Sequence, residues 1–247
     1  MQPLSTTSIH RAKAPRSRFF LASAYLAIAV AAVGFAKTFF LPLARGTFAA
    51  PAAFFIHGGL FFAWVLLFAV QATLIRRKRF ALHRTLGWLA LLLAAGMVVS
   101  TVRVGVLAMQ RDLAAGDGPI AVSLLVGTCS SMAIFALLLL LAIGYRRRAD
   151  VHKRLMLLAT IFVLWPAWFR FRHYFPSVPF PEYVFAIAAA DAPIPVAMLY
   201  DWRKLGRVHP VYLWGGTALV AEQIAETVMF DSPGWRAVAR WLADALT

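Results

Sequence analysis

Long apolar stretches alternate with short polar connections along most of the chain. A hydrocarbon core of about 30 Å needs about 20 helical residues, and a helix satisfies its own backbone hydrogen bonds in lipid. The pattern therefore predicts an all-α, polytopic membrane bundle of seven transmembrane helices. The seven stretches cover residues 19–41, 52–75, 86–108, 120–145, 155–169, 183–200 and 211–230.

The first and last of these stretches are the least regular. Glu222 and Glu226 interrupt the apolar run of the last stretch, which makes it the weakest of the seven. The first stretch follows a basic segment, as the core of a cleaved signal peptide does. It is longer than a usual signal core and contains Lys37, so we expect it to be retained as the first helix.

Two segments flank the predicted transmembrane domain of residues 19–230. Residues 1–18 are polar and basic, and we expect a disordered N-terminal arm there. Residues 231–247 place two tryptophans on one helical face and charged side chains on another. This pattern predicts a C-terminal amphipathic helix that lies on the membrane surface.

Positive charge is concentrated in every second connection. The chain of 247 residues has a net charge of +15 and is 62% hydrophobic, yet only 14% of its residues are charged, against about a quarter in soluble domains. Seventeen of its 25 Lys and Arg residues lie in the N-terminal arm and in connections 76–84, 146–154 and 203–207. Because basic connections stay in the cytoplasm, seven helices place the N-terminus there and the C-terminus outside.

The basic connections indicate a lipid partner rather than nucleic acid. Lys and Arg beside a bilayer attract anionic headgroups. The basic tracts 76–79 and 146–148 have no soluble domain around them. We therefore expect anionic lipid at the inner connections and no nucleic-acid binding, while the sequence identifies no protein partner.

Polar residues at membrane depth are the candidate functional groups. A charge at the bilayer centre costs about 2.5–3.5 kcal/mol on insertion scales, so such groups should face each other rather than lipid. Counting about 1.5 Å per helical residue places six of them in the outer half of the bundle. We expect the two arginines to neutralise the three acids. The six residues are His57, Arg103, Arg170, Asp191, Glu222 and Glu226.

Two interpretations of this polar layer stay open. In one, the acids and arginines form structural ion pairs that hold the helices together. In the other, they line a cavity for a small ligand or redox cofactor, with Arg103 and Arg170 holding an anionic or carbonyl group. Pro193 and Pro195 favour the second interpretation, because a broken helix frees backbone carbonyls that can line a cavity.

Three further histidines lie at the cytoplasmic ends of predicted helices, namely His83, His152 and His209. Neutral imidazole binds zinc, copper or iron, so these residues are a candidate metal or haem site. Neighbouring arginines favour the alternative, in which the histidines contact lipid headgroups. A haem could instead be held by His57 and His173 at the outer side.

Four segments carry a resemblance to known membrane proteins: HGGLFFAWVLLFAVQ, RFALHRTLGW, HKRLMLLAT and GRVHPVYLWGG. In this order they resemble a group of bacterial multi-helix inner-membrane proteins over residues 57–235. That resemblance implies the bacterial inner membrane but no settled activity. The chain is more loosely similar to membrane proteins that handle haem or copper and to di-haem cytochrome b reductases. This looser similarity implies haem b or copper at His83 and His152.

Three classes of function remain open. The leading hypothesis is an inner-membrane protein that binds a small ligand or redox cofactor in an outward-facing polar cavity. The alternatives are a haem- or copper-binding redox or assembly protein, and a transporter or non-catalytic partner subunit. The sequence contains no phosphate-binding loop, nucleophile elbow or H-E-x-x-H motif, so it assigns no enzyme class.

Cysteine labelling tests the predicted sidedness. Once Cys129, the single cysteine, is replaced by serine, Arg147→Cys should react with a membrane-impermeant maleimide only in opened cells. Asp117→Cys, in the preceding connection, should react in intact cells. Labelling of Arg147→Cys from outside the cell would refute the orientation.

Overall fold

The computed structural model describes residues 18–247, which consist of helices and connecting turns. The predicted N-terminal arm lies outside the described residues, apart from Arg18. Within the described part of the chain, eight helices follow one another. They are α1 (Phe19–Ala44), α2 (Ala52–Arg76), α3 (Phe80–Ala115), α4 (Pro119–Gly144), α5 (Ala149–His173), α6 (Glu182–Leu205), α7 (residues 211–229) and α8 (Pro233–Leu246).

Helices α1 to α6 are each long and apolar enough to cross a membrane, as expected of a multi-pass membrane protein. Helix α7 is not among them, because Glu222, Gln223 and Glu226 lower its mean hydropathy. The all-helical fold is therefore confirmed with six candidate crossings, and the seventh crossing stays a prediction.

Helix α5 is longer than the sequence predicted. It covers 25 residues instead of the apolar core 155–169. Pro166 does not end the helix, because a turn at Leu164 precedes it and the proline then lies in the first turn of the segment Trp165–Phe169. A proline there costs no hydrogen bond, since the first N–H groups of a helical segment have no partner within it.

The core includes the contact between α2, α4 and α5. The Trp64 ring packs edge-on against Phe135 with 5.0 Å between centroids, and its indole N–H donates to the Thr160 hydroxyl at 3.3 Å. All three residues are buried. By contrast, Trp88 and Leu92 of α3 are 71% exposed. Large exposed apolar side chains of this kind suit a lipid environment.

Small residues bring α1 against α5. A Cβ atom at Gly34 would overlap the backbone of Ala167, so only glycine permits this approach. Ala24 and Ala27 are buried in the same helix. Close packing through small residues is typical of membrane helices, and it makes α1 an integral member of the bundle.

The bundle has two chemically different ends. At one end, called the basic end, His83 and His152 have ring centroids 6.4 Å apart, which brings the connections α2–α3 and α4–α5 together. His209, just before α7, lies at the same end with its Nε2 3.4 Å from Asp150 Oδ2. Because successive helices run in opposite directions, the other connections lie at the opposite end.

Helix α7 runs from the basic end to the opposite end. Near its start, the Tyr212 ring centroid lies 5.7 Å from the guanidinium carbon of Arg154. Just beyond its end, Asp231 accepts a hydrogen bond of 2.7 Å from Ser123, near the start of α4. Its 19 residues correspond to about 28 Å of helix, close to the thickness of a hydrocarbon core.

A buried ion pair joins α5 to α6 at the basic end. Arg154 donates to both carboxylate oxygens of Asp201, with N–O distances of 2.8 and 2.5 Å, and to the Asp150 carbonyl at 2.7 Å. Arg154 is 3% exposed and Asp201 is 0% exposed. The sequence pattern placed Arg154 in a basic connection. That assignment is wrong, because α5 begins at Ala149 and its first turns are packed.

Helix α8 packs against α4 beyond the end of α7. Ser232 caps this helix by accepting from the Trp235 N–H, and the Trp235 indole donates to the Ser123 carbonyl at 2.9 Å. Hydrogen bonds from Arg236 and Ser123 lower the pKa of Asp231 to about 2. The predicted C-terminal helix is present, and its position on a membrane surface stays a prediction.

Removing the Arg154 charge should destabilise the protein. Arg154→Gln leaves the Asp201 carboxylate buried without its partner, which costs about 3–5 kcal/mol in comparable pairs. We expect a clear fall in the thermal unfolding midpoint in detergent, measured by intrinsic fluorescence. Arg148→Gln is the control, because Arg148 is exposed and lies 3.7 Å from an exposed Asp150. Such pairs contribute little. Equal midpoints for Arg154→Gln and the wild type would contradict the role of the buried pair.

Candidate functional site

Four of the six predicted residues belong to two separate groups toward the opposite end of the bundle, and Arg103 and His57 lie outside both groups. One is the acidic group, which lies on α6 and α7. The other is the cationic group, which lies on α1 and α5. The acidic group consists of Asp191, Glu222 and Glu226, and the cationic group consists of Lys37, Arg170 and Arg172.

Asp191 is the most buried member of the acidic group, with 6% exposure. Its Oδ1 accepts a hydrogen bond of 2.8 Å from the Gln223 side chain. Its Oδ2 is fully shielded and has no hydrogen-bond partner among the described residues. Because an ionised oxygen without a partner is costly in such surroundings, this oxygen is available for a proton or a ligand.

Glu222 and Glu226 are one turn apart on α7 and therefore lie on one face of that helix. Their carboxyl groups are therefore neighbours on α7. Glu226 lies beside Ser130 of α4, and a Cβ atom on Gly127 would overlap its carboxylate. Glu222 Oε2 is shielded without a partner in the described chain, as is one oxygen of Asp191.

An irregular stretch of α6 surrounds Asp191. The segment Glu182–Ala189 is π-helical, and Pro193 and Pro195 follow the aspartate. Proline has no N–H, so the carbonyls four residues before each proline lose their usual donors. Wide turns of this kind often occur at functional sites. The predicted irregularity of the sixth helix is present as a turn at Ala192 next to the acidic group, but α6 continues through both prolines as one helical span.

Arg103 does not reach the acids. Gly105 of α3 faces Thr128 of α4, and Arg103 is two residues earlier, about 200° away around the helix axis. The Arg103 side chain is exposed and forms no ion pair with any acid in residues 18–247. The expected neutralisation of the acids by Arg103 does not occur, because α3 turns this residue away from α4.

Arg170 is held on another side of the bundle. Its guanidinium carbon lies 4.1 Å from the Phe35 ring centroid of α1, and its Nη1 donates to the Pro166 carbonyl at 2.7 Å. It forms no ion pair with a described acid. The three membrane-depth acids therefore lack an arginine partner in the described chain, which argues against structural ion pairs in this layer.

His57 of α2 faces α3. Its Nδ1 lies 3.4 Å from the Ser100 hydroxyl and 3.5 Å from the Thr101 hydroxyl, and its ring packs 4.5 Å from that of Phe61. None of these contacts involves Arg170 or an acid. A shared site of His57 with Arg170 therefore stays a prediction.

The three histidines of the basic end do not share a ligand position. His152 Nδ1 donates to the Ala142 carbonyl at 2.7 Å. His209 uses both ring nitrogens, since Nδ1 accepts from the first N–H of α7 at 3.2 Å and Nε2 faces Asp150. Of the other two histidines, His152 is the one whose ring lies beside His83. No three His, Cys, Asp or Glu side chains in residues 18–247 are arranged to hold a metal ion, so the predicted three-histidine site does not form.

A crevice of about 200 Å³ opens between α1, α5 and α6. It is lined almost entirely by apolar side chains, among them Ala27, Leu157 and Val196. None of the predicted site residues lines it. The crevice therefore suits hydrocarbon, and the polar chemistry of the chain lies elsewhere.

Two contacts of the acidic group were missed from the sequence. Gln223 could have been recognised from the sequence, because it is a further polar residue in a predicted transmembrane stretch. The role of Gly127 could not, since its contact with Glu226 depends on the register of α4 against α7. The buried pair of Arg154 and Asp201 was missed because both residues lie among charged neighbours at helix ends.

Comparison of the chain with protein families, with characterised proteins and with solved structures gives no match. For this reason, no function is inferred from a relative. The functional argument depends on the geometry of the acidic and cationic groups.

Gly127→Ala should disturb the acidic group. The new methyl overlaps the Glu226 carboxylate, and such overpacking costs about 1–3 kcal/mol. Gly144→Ala is the matched control on the same helix, because no heavy atom lies within 4 Å of a Cβ atom there. The thermal midpoint should fall for Gly127→Ala and much less for the control. In a Glu226→Ala background the effect of Gly127→Ala should shrink, and full additivity would contradict the contact.

Proposed function

We propose that this chain is a multi-pass membrane protein that binds a small cation or a protonated amine at the acidic group, in exchange for protons. The observation that carries the proposal is the state of Asp191. This carboxylate is buried, one oxygen is held by Gln223 and the other has no partner in the described chain. A carboxylate at membrane depth requires either a proton or a positive partner.

The other two acids strengthen this requirement. Glu222 also has a shielded oxygen without a described partner, and Glu226 lies one turn away on the same face of α7. Three negative charges repel each other strongly where the dielectric constant is low. No Lys, Arg or His of the described chain is in ion-pair contact with them. A monovalent ligand would neutralise one charge, and protons would neutralise the others.

The negative charge of the acidic group decides which of the ligands suggested by the sequence could bind there. An anionic or carbonyl ligand held jointly by Arg103 and Arg170 would need the two arginines side by side, but Arg103 is exposed on α3 whereas Arg170 packs against Phe35 of α1. Carboxylates suit hard cations, whereas copper and haem iron favour imidazole or sulfur ligands. A transporter or binding protein for a positive solute therefore fits the acidic group better than a haem or copper protein.

Access from outside the cell requires α7 to cross the membrane as a seventh helix. Its length and its contacts at both ends of the bundle support that crossing. The positive-inside rule then keeps the N-terminus in the cytoplasm and places the acidic group in the outer half of the membrane. The resemblance to bacterial inner-membrane proteins supports the same membrane for this chain, with α8 at its outer surface.

Thermal unfolding of the purified protein in detergent tests the proposed site. The probes are Na⁺, K⁺ and ethylammonium, each added as the chloride at constant ionic strength. At least one should raise the midpoint of the wild type by several degrees, because a ligand at 100 times its Kd adds about 2.7 kcal/mol. The gain should shrink as the pH falls, since protons compete for the same carboxylate oxygens.

Matched variants separate this site from general charge effects. Asp191→Asn and Glu226→Gln should abolish the gain in midpoint. Asp244→Asn, which removes an exposed acid on α8, should retain it. The proposal fails when none of the three probes stabilises the wild type at any pH, or when Asp191→Asn responds as the wild type does.

A further inference from the structure

The cationic group is one cluster rather than three independent side chains. Lys37 lies in the π-helical segment Ala36–Phe40 of α1, and Arg170 and Arg172 lie in the last turn of α5. Lys37 donates to the backbone carbonyl of His173 in that turn, and the Arg170 guanidinium lies over the ring of Phe35, two residues before Lys37. Two helices thus hold three positive charges at the end of the bundle that carries fewer Lys and Arg residues.

Aromatic rings fix the position of each positive charge. A cation over the face of an aromatic ring is attracted by the ring quadrupole, and this contact restricts the long side chain before any ligand binds. The distances from the cation to the ring centroid are 4.4 Å for Lys37 over Tyr174, 4.1 Å for Arg170 over Phe35 and 3.8 Å for Arg172 over Phe169.

Most hydrogen-bond donors of the cationic group are unused within the described chain. Lys37 donates to the His173 carbonyl at 2.9 Å, and each of the two arginines donates to one backbone carbonyl of the preceding turn. An ammonium group has three N–H donors and a guanidinium has five. All ten acids of the chain lie in the described residues, and none forms an ion pair with the group.

We propose that Lys37, Arg170 and Arg172 bind a phosphate group at this end of the bundle. Three positive charges at the junction of α1 and α5 repel each other, and Arg170 is half-buried, so an anion bound at this junction would stabilise the arrangement. Guanidinium groups match the geometry of phosphate oxygens through paired N–H donors. The phosphate belongs either to an anionic lipid headgroup or to a soluble phosphate compound. The cluster uses other helices than the acidic group, so this binding is independent of cation binding there.

Thermal unfolding of the full-length protein in phosphatidylcholine-containing detergent micelles distinguishes the two sources. One probe is inorganic phosphate against chloride at equal ionic strength, and the other is phosphatidylglycerol in place of phosphatidylcholine. A higher midpoint with phosphatidylglycerol alone assigns the site to a lipid headgroup when Arg170→Gln reduces that rise, because the basic end also attracts anionic lipid. A higher midpoint with inorganic phosphate assigns it to a soluble phosphate. Either result supports the proposal, and no rise with either probe overturns it.

Single charge removals test which residues hold the phosphate. Arg170→Gln and Arg172→Gln should each raise the half-saturating concentration of the effective probe about fivefold. Lys37→Gln should do the same, and its exposed side chain makes a folding defect avoidable. Arg111→Gln is the matched control, because Arg111 is exposed near the same end and paired with Asp112. If the control weakens binding as much as Arg170→Gln, net charge explains the effect and the proposal is wrong.

Discussion

The geometry of the bundle depends on the buried ion pair between Arg154 and Asp201. It joins the start of α5 to the end of α6, and the Tyr212 ring of α7 lies over the same arginine. Because each buried charge needs the other, neither helix can change register without leaving one of them unpaired. The three helices fixed in this way carry, at their other ends, the whole acidic group and both arginines of the cationic group.

The parts of the fold that follow from bilayer physics could be predicted from the sequence. Six candidate crossings could be recognised because the thickness of the hydrocarbon core sets a length that apolar stretches must match. The irregularity beside Asp191 was found because proline removes a backbone donor wherever it occurs. Helix α7 was predicted as the weakest of the seven apolar stretches, and its acids keep it out of the six candidate crossings.

The parts that depend on direction around a helix axis could not be predicted in the same way. Counting residues gives the depth of a side chain, but only packing against neighbouring helices decides where it points. Arg103 and Arg170 were placed at a depth near the acids, yet they lie on different faces of the bundle. The burial of Arg154 could not be predicted either, because composition does not distinguish a single buried arginine from the exposed ones beside it.

The close approach of Gly34 to Ala167 bears on the order of membrane assembly. The ribosome makes α1 before α5, but the surface that receives its small-residue face belongs to α5, over a hundred residues later in the chain. Of the helices made before α5, α2 is the one against which α1 packs extensively in the folded bundle. The approach of Gly34 to Ala167 therefore forms only after α5 has been made, and a chain truncated before α5 lacks it.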